Sequence, residues 1–309
     1  MRANLKWMIP LILVMLIAAV YLRPVPSQPF DQIYAKVDAE TVASLQGFRA
    51  SYAVQQLDVN GISWNYLALG QGDEIIVFLH GMTGAYDIWW NQMEAFQDRY
   101  RVISVTYPAV DTLEEMSVGL LAILEKEGVG EFNLVGSSLG GYFTQYLVAT
   151  QPERIQRAVF ANTFPPNDLI AEKNKSIGAA LPYLPEWLIM DVLKGSIVEN
   201  VYPASGNSEI VLAFMMEQLS GRMSKAQEVA RFQCVVEPFD VADVEALGIP
   251  VLIIEANNDP LVELELREQL KATYPSAHVE RLHDVGHFSY LNEAERYTEI
   301  LENFFLGTK

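Results

Sequence analysis

Short apolar runs separated by helix-length segments constrain this chain more than any other feature. Glu74–Leu79, Arg101–Tyr107, Phe132–Val135 and Ala158–Ala161 each read as a strand, and each gap between them is long enough for one helix. Such alternation predicts parallel βαβ units, because a parallel neighbour needs a crossover and a crossover helix covers the sheet face. The pattern stops near Asn162 and resumes at Val251–Glu255 and His278–Leu282, followed by helical stretches over Leu261–Tyr274 and Glu293–Phe304. An insertion of about residues 164–240 therefore interrupts the sheet. It carries Leu181, Tyr183, Leu184, Trp187, Leu188, Met190, Phe214, Met215 and Met216 at roughly helical spacing, which predicts a helical cap packed on the sheet.

Ahead of the first parallel strand, Tyr52–Val59 and Ile62–Leu69 flank Asn60-Gly61. That dipeptide tolerates the two positive φ angles of a type I′ turn, so a hairpin should open the sheet. Residues 24–48 are first Pro-rich and then carry Ile33, Val37 and Leu45 as an apolar stripe, which reads as a linker and a docking helix. The main domain is expected over residues 49–309.

From Trp7 to Leu22 the chain is apolar apart from the Tyr21 hydroxyl, with Arg2 and Lys6 before the run and Arg23 after it. This predicts a membrane-targeting segment over residues 1–23. The following Arg23-Pro24-Val25-Pro26-Ser27 matches a small-residue cleavage site poorly, which favours an uncleaved signal anchor, a single-pass transmembrane helix, over a cleaved signal peptide. The basic excess before the run would keep the N-terminus cytoplasmic and place the body on the non-cytoplasmic side, or secrete it if cleavage occurs.

A formal charge of −18, from 21 Lys plus Arg against 39 Asp plus Glu, repels phosphate backbones and argues against a nucleic-acid partner. The single cysteine, Cys234, cannot form an intrachain disulfide and reads as a small core residue.

Gly136-Ser137-Ser138-Leu139-Gly140 fits G-x-S-x-G, a weak signal alone. Its setting strengthens it, since a strand runs into it and a helix begins at Gly141. A nucleophile on so sharp a turn sits at strained backbone angles, and glycine two residues to either side lets strand and helix approach. Ser138 falls in frame; Ser137 does not and reads as structural.

A serine hydroxyl needs a base to take its proton as it attacks. Four histidines are present, and His283 and His287 lie just beyond the last strand in His283-Asp284-Val285-Gly286-His287-Phe288. Their spacing resembles a helical zinc pair, but Gly286 disfavours the helix and Asp284 stands where the motif has Glu, so neither metal nor cofactor is expected. Asp259, in Asn257-Asn258-Asp259-Pro260 after a strand, is a candidate to orient the histidine. An Asp before Pro at a helix start is equally a good N-cap, and Asp284 and Glu255 are weaker alternatives.

Taken together, the His80-Gly81 loop, the elbow at Ser138, Asp259 and His287 resemble the α/β-hydrolase superfamily over about residues 50–305. Tyr107-Pro108 leading to Leu113-Glu114, Ser138-Leu139-Gly140-Gly141, Ala161-Asn162-Thr163-Phe164 and Val236-Glu237-Pro238 look like its maspardin-like branch. The resemblance implies an α/β-hydrolase fold, a mostly parallel central sheet with an inserted helical cap. It implies the order nucleophile Ser138, acid Asp259, base His287, with the backbone amides of Met82 and Leu139 as an oxyanion hole. It further implies a serine hydrolase of the carboxylesterase or lipase kind, acting on a small-molecule ester or related acyl substrate through an acyl-enzyme. The alternatives are cleavage of a carbon–carbon bond or an amide on the same fold, and a non-catalytic maspardin-like binding protein. Protein partners are not legible.

Overall fold

A computed structural model describes residues 5–307. Its centre is one eight-stranded sheet made of β1 (Gln55–Val59), β2 (Ile62–Leu69), β3 (Glu74–Leu79), β4 (Tyr100–Thr106), β5 (Phe132–Ser137), β6 (Ile155–Ala161), β7 (Val251–Ala256) and β8 (His278–Leu282). The strand order is β1-β2-β4-β3-β5-β6-β7-β8. β1 and β2 form the antiparallel hairpin, and at their turn Asn60 and Gly61 have φ of 56° and 82°. β2 is antiparallel to β4, and every later pairing is parallel.

Strict alternation along β3 explains the two-faced core. Ile76 and Phe78 pack on one face with Trp89, Phe96 and Tyr297, whereas Val77 and Leu79 pack on the other with Leu120, Phe143 and Leu147. Removing one such side chain from water stabilises the fold by about 1.5–3 kcal/mol. With helices on both faces, β5 has no exposed residue, which is why its sequence, Phe132-Asn133-Leu134-Val135-Gly136-Ser137, does not alternate apolar with exposed polar residues.

The chain runs from β3 leftward to β4, then crosses β3 to reach β5 and continues rightward. The loops after β3 and β5 thus diverge from adjacent strands, and the crevice between them is where open α/β sheets place their ligands. Between β6 and β7 the chain builds the helical cap, with its helices at Leu169–Ala180, Glu186–Ser196, Glu209–Glu217 and Lys225–Val236. Ahead of the sheet, the helix Ala39–Ser51 is capped by Asp38, whose Oδ1 accepts from the Thr41 amide at 2.8 Å, and it buries Leu45 and Phe48 in the core.

The N-terminal expectation fails. The helix Leu5–Tyr21 has 17 residues, about 26 Å at 1.5 Å per residue, against a hydrocarbon core of about 30 Å. Among the described residues no helix is long and apolar enough to cross a membrane. The single-pass transmembrane signal anchor, and the non-cytoplasmic placement of the body that rested on it, are therefore corrected. Residues read as the far membrane boundary instead meet the cap. Trp187 Nε1 donates to the Val20 carbonyl at 2.8 Å, Tyr21 donates to the Tyr183 carbonyl at 2.6 Å, and Arg23 lies 4.5 Å over the Trp187 ring.

Candidate active site

The end of β5 turns sharply at Ser138, which has φ 56° and ψ −122° and immediately precedes the helix Leu139–Thr150. Two glycines permit the turn. A Cβ on Gly136 would stand 2.1 Å from the Gly140 carbonyl oxygen, and one on Gly140 would stand 2.1 Å from the Leu79 carbonyl oxygen. The second contact brings the elbow against the end of β3, where the His80-Gly81 loop begins. There Gly81 leaves room for the serine, since a Cβ on it would lie 3.0 Å from Ser138 Cβ and 3.6 Å from its Oγ.

The same loop orients the Met82 amide. The Gly81 carbonyl accepts from His80 Nδ1 at 2.6 Å and from the Gly84 amide at 3.1 Å. Since that carbonyl can only accept, His80 Nδ1 carries a proton and Nε2 is left to accept from the Tyr107 amide at 3.4 Å. Burial, reinforced by the Arg231 guanidinium, holds the His80 pKa well below its usual value, so the ring is neutral. The Gly81–Met82 peptide is trans, so a carbonyl fixed toward His80 turns the Met82 N–H the other way. Leu139 opens its helix, where a first-turn amide has no partner within the helix.

At the far side of the crevice, β7 leads into Asp259 and β8 into His287, both buried. His287 Nδ1 lies 2.8 Å from Asp259 Oδ2 and 3.0 Å from Oδ1. The carboxylate also accepts from Asn162 Nδ2 at 2.9 Å and from the amides of Leu261 and Val262 at 2.8 and 3.0 Å. Burial alone would raise the Asp259 pKa; the facing imidazole and these hydrogen bonds outweigh it and hold the carboxyl below its usual range. The helix itself begins at Leu264 with Glu263 as its N-cap, so Asp259 is not the cap of that helix.

The remaining candidates lie elsewhere. Glu255 is committed to Lys271 at 3.1 Å and Arg281 at 2.6 Å. His283 and Asp284 are exposed, and Ser137 is buried. Cys234 is buried with its thiol pushed up to about 12 by burial, far from a reactive thiolate.

Ser138 and His287 are not joined by a hydrogen bond among the described residues; they are linked through β6. Thr163 Oγ1 donates to the Ser138 carbonyl at 2.8 Å, its neighbour Asn162 donates to Asp259, and Asp259 holds His287. Ser289 completes the link by donating to Asn162 Oδ1 at 3.2 Å. In unliganded hydrolytic sites the nucleophile–base contact is commonly long and tightens on substrate. Sequence reasoning did not assign Asn162 or Thr163 a role here, although their position directly after a strand, like that of Ser138, is a usable signal.

The cap closes over this end of the sheet. Asn258 Nδ2 donates to the Ala204 carbonyl at 2.7 Å, Asn292 Nδ2 to the Ser205 carbonyl at 3.0 Å, and Thr83 Oγ1 to Met215 Sδ at 3.2 Å.

Comparison with known proteins agrees with this architecture. A family model described as alpha/beta hydrolase fold matches residues 74–191. A 2-hydroxy-6-oxononadienedioate/2-hydroxy-6-oxononatrienedioate hydrolase of Burkholderia vietnamiensis is 24% identical over 86% of this chain and 98% of its own length. Maspardin of Danio rerio is 25% identical over 76% of each chain. A crystal structure of a hydrolase from Pseudomonas aeruginosa PA01 superposes with a TM-score of 0.72 at 21% identity, covering 82% of this chain and 98% of that one. Relatives that are hydrolases support hydrolase activity, and the chain has the α/β-hydrolase fold.

Proposed function

We propose that the chain is a serine hydrolase that cleaves an ester or related acyl substrate through an acyl-enzyme. The observation that carries this reading is the buried Asp259–His287 pair at 2.8 Å, together with a serine held at positive φ at the end of β5. In this reading His287 Nε2 takes the proton of Ser138 as its Oγ attacks the acyl carbon. Asp259 keeps Nδ1 protonated and stabilises the imidazolium that forms. The amides of Met82 and Leu139 receive the charge that develops on the carbonyl oxygen, and such a donor commonly contributes about 3–4 kcal/mol in the transition state. His287 then returns its proton to the leaving group, and water, activated by the same ring, releases the acid and restores Ser138.

The cap favours a neutral acyl group. Arg222 is paired with Asp87 and Glu217, and Arg231 with backbone carbonyls, so both cap arginines are engaged. Neither is free to meet a substrate carboxylate of the kind the name of the Burkholderia vietnamiensis relative contains. Labelling by a fluorophosphonate, with Ser138→Ala and His287→Ala as controls, tests the reading. Labelling that both substitutions abolish is the expected result, followed by turnover of neutral p-nitrophenyl esters in preference to monoesters of dioic acids. A folded wild type that stays unlabelled would sink it and favour the binding role that likeness to Maspardin suggests.

A further inference from the structure

We propose that Arg231, on the cap helix Lys225–Val236, is a positioning residue that fixes the oxyanion loop from the cap side, so that the hole is complete only when this helix is seated. The proposal rests on the serine-hydrolase reading above.

Arg231 is buried to 1% exposure, yet among the described residues no carboxylate lies within ion-pair distance of its guanidinium. Its charge is spent on backbone. NH1 donates to the carbonyls of Met82 and Gly84, the latter at 3.2 Å, and NH2 donates to the Tyr107 carbonyl at 2.9 Å. The cation also lies 5.8 Å over the Tyr107 ring, and Nε has no hydrogen-bond partner among the described residues. A cation taken out of water is tolerated only where dipoles replace its hydration, so three carbonyls must converge on it. Two of the three belong to one tight loop.

That loop carries the Met82 amide. The peptide before Met82 is pinned through the Gly81 carbonyl by His80 and the Gly84 amide, and the peptide after it is pinned through the Met82 carbonyl by Arg231. With both flanking peptide planes held, neither backbone dihedral of Met82 is free, and the direction of its N–H is set. His80 acts from the sheet side. Arg231 acts from a residue 149 positions along the chain, on an element that belongs to the cap. Burial brings the Arg231 pKa down to about 10, partly offset by Glu228, so the side chain remains a cation at neutral pH.

An oxyanion donor acts on the transition state and hardly on the bound substrate, which gives the test its shape. In the full-length protein, Arg231→Met and Arg231→Lys are compared with wild type for kcat and KM on a p-nitrophenyl ester. The Ki of a trifluoromethyl ketone, whose adduct carries the oxyanion, is measured alongside, and thermal unfolding reports folding. The expected result is a fall in kcat of about 10- to 100-fold for Met and a smaller fall for Lys. KM should stay within about threefold, and Ki should rise in step with the loss of kcat/KM. If Met does not fold, Lys decides, because it keeps the charge and reaches fewer carbonyls. A folded Lys or Met variant with wild-type kcat and Ki, or one altered in KM alone, overturns the proposal. Wild type lacking Ser138-dependent labelling overturns the serine reading and this proposal with it, an outcome visible before any Arg231 variant is made.

Discussion

Two ionic groups, one buried and one half-buried, hold this molecule together, and they are built from different chemistry. At the ends of β6, β7 and β8, Asp259 faces His287, with neutral donors from Asn162 and two backbone amides taking up the rest of its lone pairs. Where the helix Ala39–Ser51 meets the cap, Asp87 accepts from Arg49 at 2.7 Å and Arg222 at 2.9 Å, and Glu217 accepts from Arg49 at 2.8 Å and from Tyr34 at 2.7 Å. Burial would lower both arginine pKa values, but the facing carboxylates win and raise them, so both guanidiniums keep their charge at any pH near neutrality. The Asp259 group instead pairs a carboxylate with an imidazole. The network that holds two elements together uses permanent charges, and the one proposed to pass a proton uses an imidazole.

Substitutions separate the two. The largest effect should come from Ser138→Ala, with ester hydrolysis down about 10,000-fold or more and an unfolding midpoint within a degree or two of wild type. Asp259→Asn should follow, because an amide facing Nδ1 favours the wrong tautomer, with kcat down about 1,000- to 10,000-fold. Asp259 also gives a pH signature. Its folded pKa is lowered, so its contribution to stability is complete above about pH 4, the unfolded value, and is lost as pH falls through the folded one. Urea titrations of wild type and Asp259→Asn should therefore diverge above pH 4 and converge below it.

Asp87→Ala attacks the clamp. It leaves two arginines with one carboxylate and should cost about 3 kcal/mol of stability, while kcat per folded molecule stays near wild type. A large loss of kcat without loss of stability would break the comparison. Glu228 sharpens it, being a buried carboxyl that lacks a matched partner. Burial raises its pKa to about 7 against the lowering pull of Arg231, and Oε2 has no hydrogen-bond partner among the described residues. A raised carboxyl pKa means the folded state suffers from ionisation, a penalty that grows from about pH 4.5 and is complete above pH 7. Glu228→Gln should thus be more stable than wild type by about 3 kcal/mol at pH 8 and equal to it near pH 4.5, measured by thermal or urea unfolding. The smallest effect is expected from Asn162→Ala, about tenfold in kcat, because Asp259 loses one donor of several.

The sequence speaks clearly where structure is local. Gly136 and Gly140 announce the elbow because sterics at one turn demand them, and Asn60-Gly61 announces the hairpin for the same reason. The runs in β3, β5 and β7 are legible because both faces of a parallel sheet are covered. What sequence reasoning missed is long-range. Nothing near Arg231 reveals that its partners are carbonyls more than 120 residues away. In sequence Asp259 keeps a helix-cap reading beside its catalytic one, and only the fold brings His287 and Asn162 beside it. The N-terminal run misled because hydropathy registers apolar residues and not where the helix stops or what the next residues touch.

The placement of Ser138, Asp259 and His287 after three different strands also gives the site a history in time. The elbow is encoded near the middle of the chain, and about 150 residues separate it from His287. At a synthesis rate of about 5–20 residues per second, that gap lasts roughly 8–30 s. Until β7 and then β8 are made, a growing chain carries the elbow without Asp259 and His287 beside it. On the serine-hydrolase reading, a complete site thus has to await the last strands, and a product that stops short of His287 would lack its base.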